Sequence, residues 1–252
     1  MQIKPYSPIG LLILLETMLL YACTADEWIS HPENDMVQLS AAITPLSGST
    51  RAHVGDKGNE SFQVDDKITL FVTPQGEFSS GTLGRTMRLT TEGWSPKLAW
   101  QEIAGEQVTF TAFYPEMSDC NSEIFTHTVA SDQRLTELFA KSDLLAASIE
   151  VGRGNAVSLN FRHWMSLIEL HLTSNTFTPE QLSEAVIHIQ ACPSVQIQTI
   201  PVPEVMQPVE TQVEDIIFHQ GEPNVYHVIL PPQLIQETWR RKWIEIELEG
   251  NT

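Results

Sequence analysis

Cysteine, positive charge and long apolar runs are all scarce in this chain of 252 residues, and each scarcity removes a class of function. The three cysteines, Cys23, Cys120 and Cys192, form no CxxC pair of the kind that holds a metal. Their odd number leaves at least one with a task other than an internal disulfide. Lysine and arginine number 14 against 32 aspartates and glutamates, a net charge of -18 that repels phosphate backbones and anionic membrane surfaces. Nucleic acid is therefore set aside as a partner. The balance suits a soluble or surface-displayed protein that must resist self-aggregation. With 42% hydrophobic and 18% charged residues the chain is apolar enough to build a core, which argues against wholesale disorder.

Patterns for catalysis and metal binding are missing too. The eight histidines, at 31, 53, 127, 163, 171, 188, 219 and 227, fall into no HExxH or HxH spacing, and no Gly-x-Ser-x-Gly elbow occurs. Gly152-Arg153-Gly154-Asn155 has the glycines of a phosphate loop, but a strand pattern follows it instead of a helix, so it reads as a hairpin turn. Asp65-Asp66 lacks further acidic ligands at alternating spacing and reads as a solvated turn. No catalytic residue, metal or cofactor is expected. One alternative rests on the aromatics: Trp94 and Trp100, if exposed, would give a glycan-binding face, although tryptophans in a β-rich chain mostly belong to the core.

What the chain does contain is β pattern. In Ala156 to Leu172, apolar Val157, Leu159 and Phe161 alternate with Ser158, Asn160 and Arg162, and a second alternation runs from Met165 to Leu172. Period-two alternation marks a strand, because successive side chains leave opposite faces of the pleat. Arg162-His163-Trp164 separates the runs, so the stretch is two consecutive strands or one strand bent at a bulge, with His163 and Trp164 as a structural turn. Further strands are expected near 62–72, 85–91, 107–115, 124–129, 185–191, 213–218, 225–230 and 243–248, and short helical turns near 131–140 and 179–182. Prolines at 193, 201, 203 and 208 are expected to preclude central strands there.

The N-terminus reads as an export signal. Lys4 precedes an apolar run from Ile9 to Leu15, Glu16 interrupts it, and Met18 to Ala22 leads to Cys23. Residues 1–22 are expected to be a signal peptide, and Leu20-Tyr21-Ala22-Cys23 resembles a bacterial lipobox whose cysteine is lipidated. A plain signal peptide or an uncleaved anchor helix stays open. Glu16 cuts the run below the roughly 20 apolar residues of a spanning helix, which favours a signal. Residues 23–61 form a lead-in tether rich in Ser, Thr, Asn, Gly and charge, with one short strand within 36–43. With Cys23 set aside, Cys120 and Cys192 either pair in an oxidising compartment or stay as two thiols.

Taken in order, FQVDDKITLF, QVTFTAFYP, KSDLLAA, VSLNFRHWMSLIELHL and YHVILPPQ resemble the ordered motifs of fimbrillin-like (Mfa-like) surface lipoproteins of Bacteroidetes, from about Phe62 to Gly250. The resemblance implies an all-β protein of tandem transthyretin-like β-sandwich domains: an N-terminal sandwich over 62–175 and a C-terminal β domain over 176–252. Because the chain stops at Thr252, where relatives continue, the second domain is expected to be either complete or truncated. It also implies a non-enzymatic subunit or anchor of a fimbrium, held to the outer membrane through a palmitate-type lipid on Cys23 and assembling with other fimbrial subunits by β-strand addition. Arg51 is the position that resembles the maturation cleavage site. A host or bacterial surface ligand, or a monomeric glycan-binding lipoprotein, is the other reading.

Overall fold

A computed structural model describes residues 35–45, 61–74, 84–118, 123–199, 204–208, 213–234 and 243–248. Residues 1–22, expected to be a signal peptide, lie outside the described residues, as do Cys23, Arg51 and Cys120, while Cys192 is buried. In chain order the first strands are β1 (Leu39–Ile43), β2 (Lys67–Pro74), β3 (Arg85–Thr90), β4 (Gly93–Ser95) and β5 (Gln107–Tyr114). Next come β6 (Ile124–Thr128), β7 (Leu145–Gly152), β8 (Val157–His163), β9 (Ser166–His171) and β10 (Val186–Ala191). The remainder are β11 (Ser194–Gln198), β12 (Glu204–Pro208), β13 (Glu214–Ile217), β14 (His219–Glu222), β15 (Val225–Leu230) and β16 (Ile244–Glu247). Two short helices, α1 (Thr136–Ser142) and α2 (Pro179–Ser183), complete the elements used below, and the fold is all-β.

Seven strands form the largest sheet, in the order β1-β8-β7-β5-β2-β3-β4. Three smaller sheets have the orders β13-β10-β16, β12-β11-β6 and β14-β15-β9. The unit Met36–Thr252 holds two hydrophobic cores. One collects Val37, Ile43, Leu70, Phe110, Leu159 and Phe161 on one face of the large sheet. The other takes Phe71, Phe113 and Ala146 from the opposite face, together with Ile187, Ile189, Val195, Ile197, Tyr226 and Val228 from the smaller sheets. Neighbouring residues of one strand, Leu70 and Phe71 or Ala112 and Phe113, thus serve different cores. That arrangement accounts for the unbroken buried run in β2, since a strand covered on both faces has no reason to alternate.

Strand β8 shows the opposite pattern, with Val157, Leu159 and Phe161 buried and Ser158, Asn160 and Arg162 exposed. It forms a hairpin with β7 through Gly152–Asn155, where Asn155 N donates to Gly152 O at 3.1 Å. Gly154 sits at φ +84°, a conformation that a Cβ disfavours. The Asp65 turn is likewise observed, at φ 82°, with the Asp66 carboxylate accepting from Gln63 N at 2.6 Å.

One expectation, the exclusion of central strands from the proline-rich stretch, needs correction, and two further features lie beyond what the pattern specified. First, β8 and β9 do not lie in the same sheet: after His163 the chain leaves the large sheet, and β9 pairs antiparallel with β15. Second, β11 lies centrally between β12 and β6, although its stretch is rich in proline. The prolines bracket β11 without entering it, and Pro208 falls at the end of the edge strand β12, where no further ladder bond is demanded. Third, α1 starts at Leu135 without a side-chain cap, and Asp132 instead accepts from Arg134 N at 3.1 Å. The second helix matches its signal more closely: Thr178 and Gln181 form a capping box. Two strands that precede the 175/176 division drawn from the sequence, β6 and β9, pair with β11 and β15, which follow it.

Candidate functional site

The edge of the large sheet where β1 docks is the feature that bears on function. β1 runs parallel to β8 in the register Leu39↔Val157, Ala41↔Leu159 and Ile43↔Phe161. Backbone bonds tie it in: Val157 N donates to Gln38 O at 2.9 Å and Thr44 N to Phe161 O at 2.8 Å. On its far side Val37 N donates to Leu98 O at 2.8 Å, Met36 forms an isolated bridge with Ala99, and β1 packs against β4. The strand therefore spans the space between the sheet's two ends.

Inward-facing side chains follow the pleat. Val37 and Ile43 are buried, Leu39 and Ala41 are half-buried, and Ser40 and Ala42 face out. Beneath them lie Val157, Leu159 and Phe161 of β8, with Phe62 meeting Phe161, Trp94 and Tyr114 edge-on at centroid distances of 5.0, 5.4 and 5.4 Å. Such edge-to-face contacts fix the rings that floor the groove. No ionisable side chain occurs in β1, and its polar side-chain contacts are those of Ser40 Oγ, with Ser158 Oγ at 2.8 Å and with Val157 O at 3.4 Å. Chemically the site is a strand-shaped apolar trench whose backbone edges are satisfied by β1, and it asks of any occupant apolar side chains at alternate positions.

A second junction supports β8 at its end. His163 Nδ1 donates to Asp143 Oδ2 at 2.8 Å, with both side chains buried, and Trp164 N donates to Leu144 O at 2.9 Å. The KSDLLAA and FRHW segments noted in the sequence are thereby joined. His163 serves this buried pair at the junction where β8 ends and the chain turns towards β9, a structural role. Nearby, His127 Nε2 donates to Ser142 O at 3.0 Å, and burial depresses its pKa.

Trp94 and Trp100, the residues proposed for a glycan face, are 4% and 3% exposed and belong to the core under β1, so that face does not exist. Among the described residues, no group of three or more His, Cys, Asp or Glu side chains is placed to hold a metal ion. None of the described helices is long and apolar enough to cross a membrane. The groove floor, Val157, Leu159 and Phe161, was legible in the sequence only as core, because alternation reveals a buried face and not the strand that lies beside it.

An all-β protein whose first described strand docks at the edge of its largest sheet defines the class. The profile of the family described as Fimbrillin-like matches residues 50–252, so the chain belongs to the fimbrillin-like family. Its fold is similar to that of a candidate cell adhesion protein from Bacteroides ovatus, at 17% identity and a TM-score of 0.56, covering 80% of each chain. A candidate cell adhesion protein from Bacteroides uniformis is similar at 17% identity and a TM-score of 0.54, covering 79% of this chain and 76% of that one. No curated protein matches the chain.

Proposed function

We propose that the protein is a non-enzymatic fimbrial subunit or anchor displayed on the outer membrane, assembling with other fimbrial subunits by β-strand addition. The observation that carries this reading is β1: a short strand, encoded ahead of Arg51, that fills an apolar trench otherwise lined by β8 and β4. Cleavage after Arg51 would sever β1 from the rest of the chain, and a strand of a neighbouring subunit would then take its place on β8. Family membership and the adhesion-related descriptions of the two similar structures support the same class.

The reading includes a signal peptide over 1–22, a lipid anchor on Cys23, a tether over 23–61, and a tandem arrangement of transthyretin-like sandwiches over 62–175 and 176–252. The second core takes Ile187, Ile189, Val195, Ile197 and Tyr226 from the later segment together with Phe71, Phe113 and Ala146 from the earlier one, and β6 and β9 pair with the later segment's strands. Metabolic labelling with a fatty acid tests the anchor: label on the wild type and none on Cys23→Ala is expected, and label persisting on the variant refutes it. For assembly, Arg51→Ala is expected to block both maturation and SDS-resistant ladders. Normal maturation and ladders in that variant overturn the cleavage step.

A further inference from the structure

The outward face of the β7–β8 hairpin carries a second site. The antiparallel ladder between these strands closes at Leu145↔His163 and Ala146↔Arg162. Beside that closure lies a cleft of about 400 Å³ whose lining includes Ala146 and Ser148 of β7, Ser158, Asn160 and Arg162 of β8, and Trp164. Arg162 is exposed, and its register partner is only an alanine, so no long side chain from that position covers it. Among the described residues it is the one lysine or arginine without a protein acceptor. Lys67 pairs with Glu116, Arg85 with Glu102, Arg88 with Asp65, Arg134 with Asp132 and Lys141 with Glu137, while Lys97 and Arg153 donate to the carbonyls of Glu92 and Ile103. In a chain of net charge -18, a cation left uncompensated in a concave site is unusual.

Its surroundings define the ligand. The guanidinium is a planar fork that matches a carboxylate in two parallel bonds. Trp164 is half-buried and held edge-on by Phe113, with centroids 5.9 Å apart and planes at 84°, so one end of the cleft has a fixed aromatic surface. Between lie neutral hydrogen-bonding groups, the Asn160 amide and the Ser148 and Ser158 hydroxyls. Ser148 Oγ is paired with Thr111 Oγ1 at 3.0 Å and Ser158 Oγ with Ser40 Oγ at 2.8 Å, which fixes both oxygens while leaving each hydroxyl further bonding capacity. One carboxylate receptor, a ring-sized aromatic wall and several neutral polar groups are the complement of a hydroxyl-rich ring bearing an acid. We propose that this cleft binds an acidic sugar unit, of the uronic-acid type, within a surface glycan. An acidic peptide would satisfy Arg162 but leaves the amide and hydroxyl lining without a matching set of ring hydroxyls.

Isothermal titration of the full chain with a galacturonate oligosaccharide, its neutral galactose counterpart and an oligoglutamate peptide tests the assignment. The galacturonate oligomer is expected to bind, more weakly as salt rises, and the other two not to bind. Arg162→Gln, at an exposed position with no protein partner to lose, is expected to fold normally and weaken binding about ten- to a hundredfold, the loss of one charge-assisted donor set. Arg162→Lys should restore part of it. Absence of galacturonate binding, or binding unchanged in Arg162→Gln, overturns the site. Oligoglutamate bound as tightly as the sugar overturns the glycan assignment.

Discussion

Docking of β1 is close to energetically balanced, and replacing Ile43 by alanine should tip it. Val37 and Ile43 contribute about 1.5–3 kcal/mol each through burial. Half-buried Leu39 and Ala41 add about 1 kcal/mol together. The three flanking backbone bonds of Val37, Val157 and Thr44 add roughly 1 kcal/mol each, for a gross gain of about 7–10 kcal/mol before the bonds within the β1–β8 ladder are counted. Ordering residues 37–43 costs about 1–2 kcal/mol per residue, or about 7–14 kcal/mol in all. The strand is therefore held with little surplus, and Ile43→Ala removes about 2–3 kcal/mol, the low end for a buried isoleucine because an edge site can partly collapse. Native-state hydrogen exchange reads this directly. The amides of Val37, Thr44 and Val157, which report on opposite edges and both ends of β1, should speed up together by about 30- to 150-fold. A control change in the other core, Ile187→Val, should leave those three amides unaltered, since β1 opens without unfolding that core. Unequal responses among the three amides, or equal sensitivity to Ile187→Val, refute the view of β1 as an independently opening element.

Three further outcomes follow from named contacts. Asp143→Ala strips the buried His163 of its acceptor and should cost about 3 kcal/mol, a fall in Tm of about 6–12 °C by calorimetry, whereas Asp143→Asn keeps an acceptor and should cost clearly less. Burial lowers the His127 pKa, so below the ordinary imidazole value of 6.5 the unfolded chain takes up a proton that the folded one refuses. This contribution to stability is full above that value and declines as pH falls through it. His127→Gln, which retains a donor for Ser142 O, should flatten the decline in thermal midpoints measured between about pH 7.5 and about pH 5.5. Thr178→Ala, which breaks the capping box of α2, should lower stability by about 1 kcal/mol, while Thr178→Ser should be nearly neutral in the same melts.

Local chemistry was well expressed in the sequence, and long-range pairing was not. The alternation in β8 and β10, the glycine turn before Asn155 and the Thr178 cap all depend on neighbours a few residues away, and the structure places them where their pattern says, whereas β5 is buried on both faces. A short strand within 36–43 was also legible, yet nothing local reveals that it runs parallel to β8, because a five-residue apolar alternation fits many edges equally well. Likewise β9 continues the texture of β8 without interruption by Gly or Pro. Only the partner strand β15 and the second core decide that it changes sheet. Trp94 and Trp100 show the same limit, since exposure is a property of packing that spacing cannot supply.

The parallel pairing of β1 also sets an order of events in folding. Ser40 and Ser158, which touch across the β1–β8 ladder, are 118 residues apart. A chain emerging from its N-terminus presents β1 long before β8 exists, and closing so large a loop comes late because its entropic cost precedes any contact that offsets it. The sheet from β8 through β4 is thus assembled around an open trench, and the native first strand enters as the final piece. On this view an incoming strand from another subunit would repeat the last step of the protein's own folding.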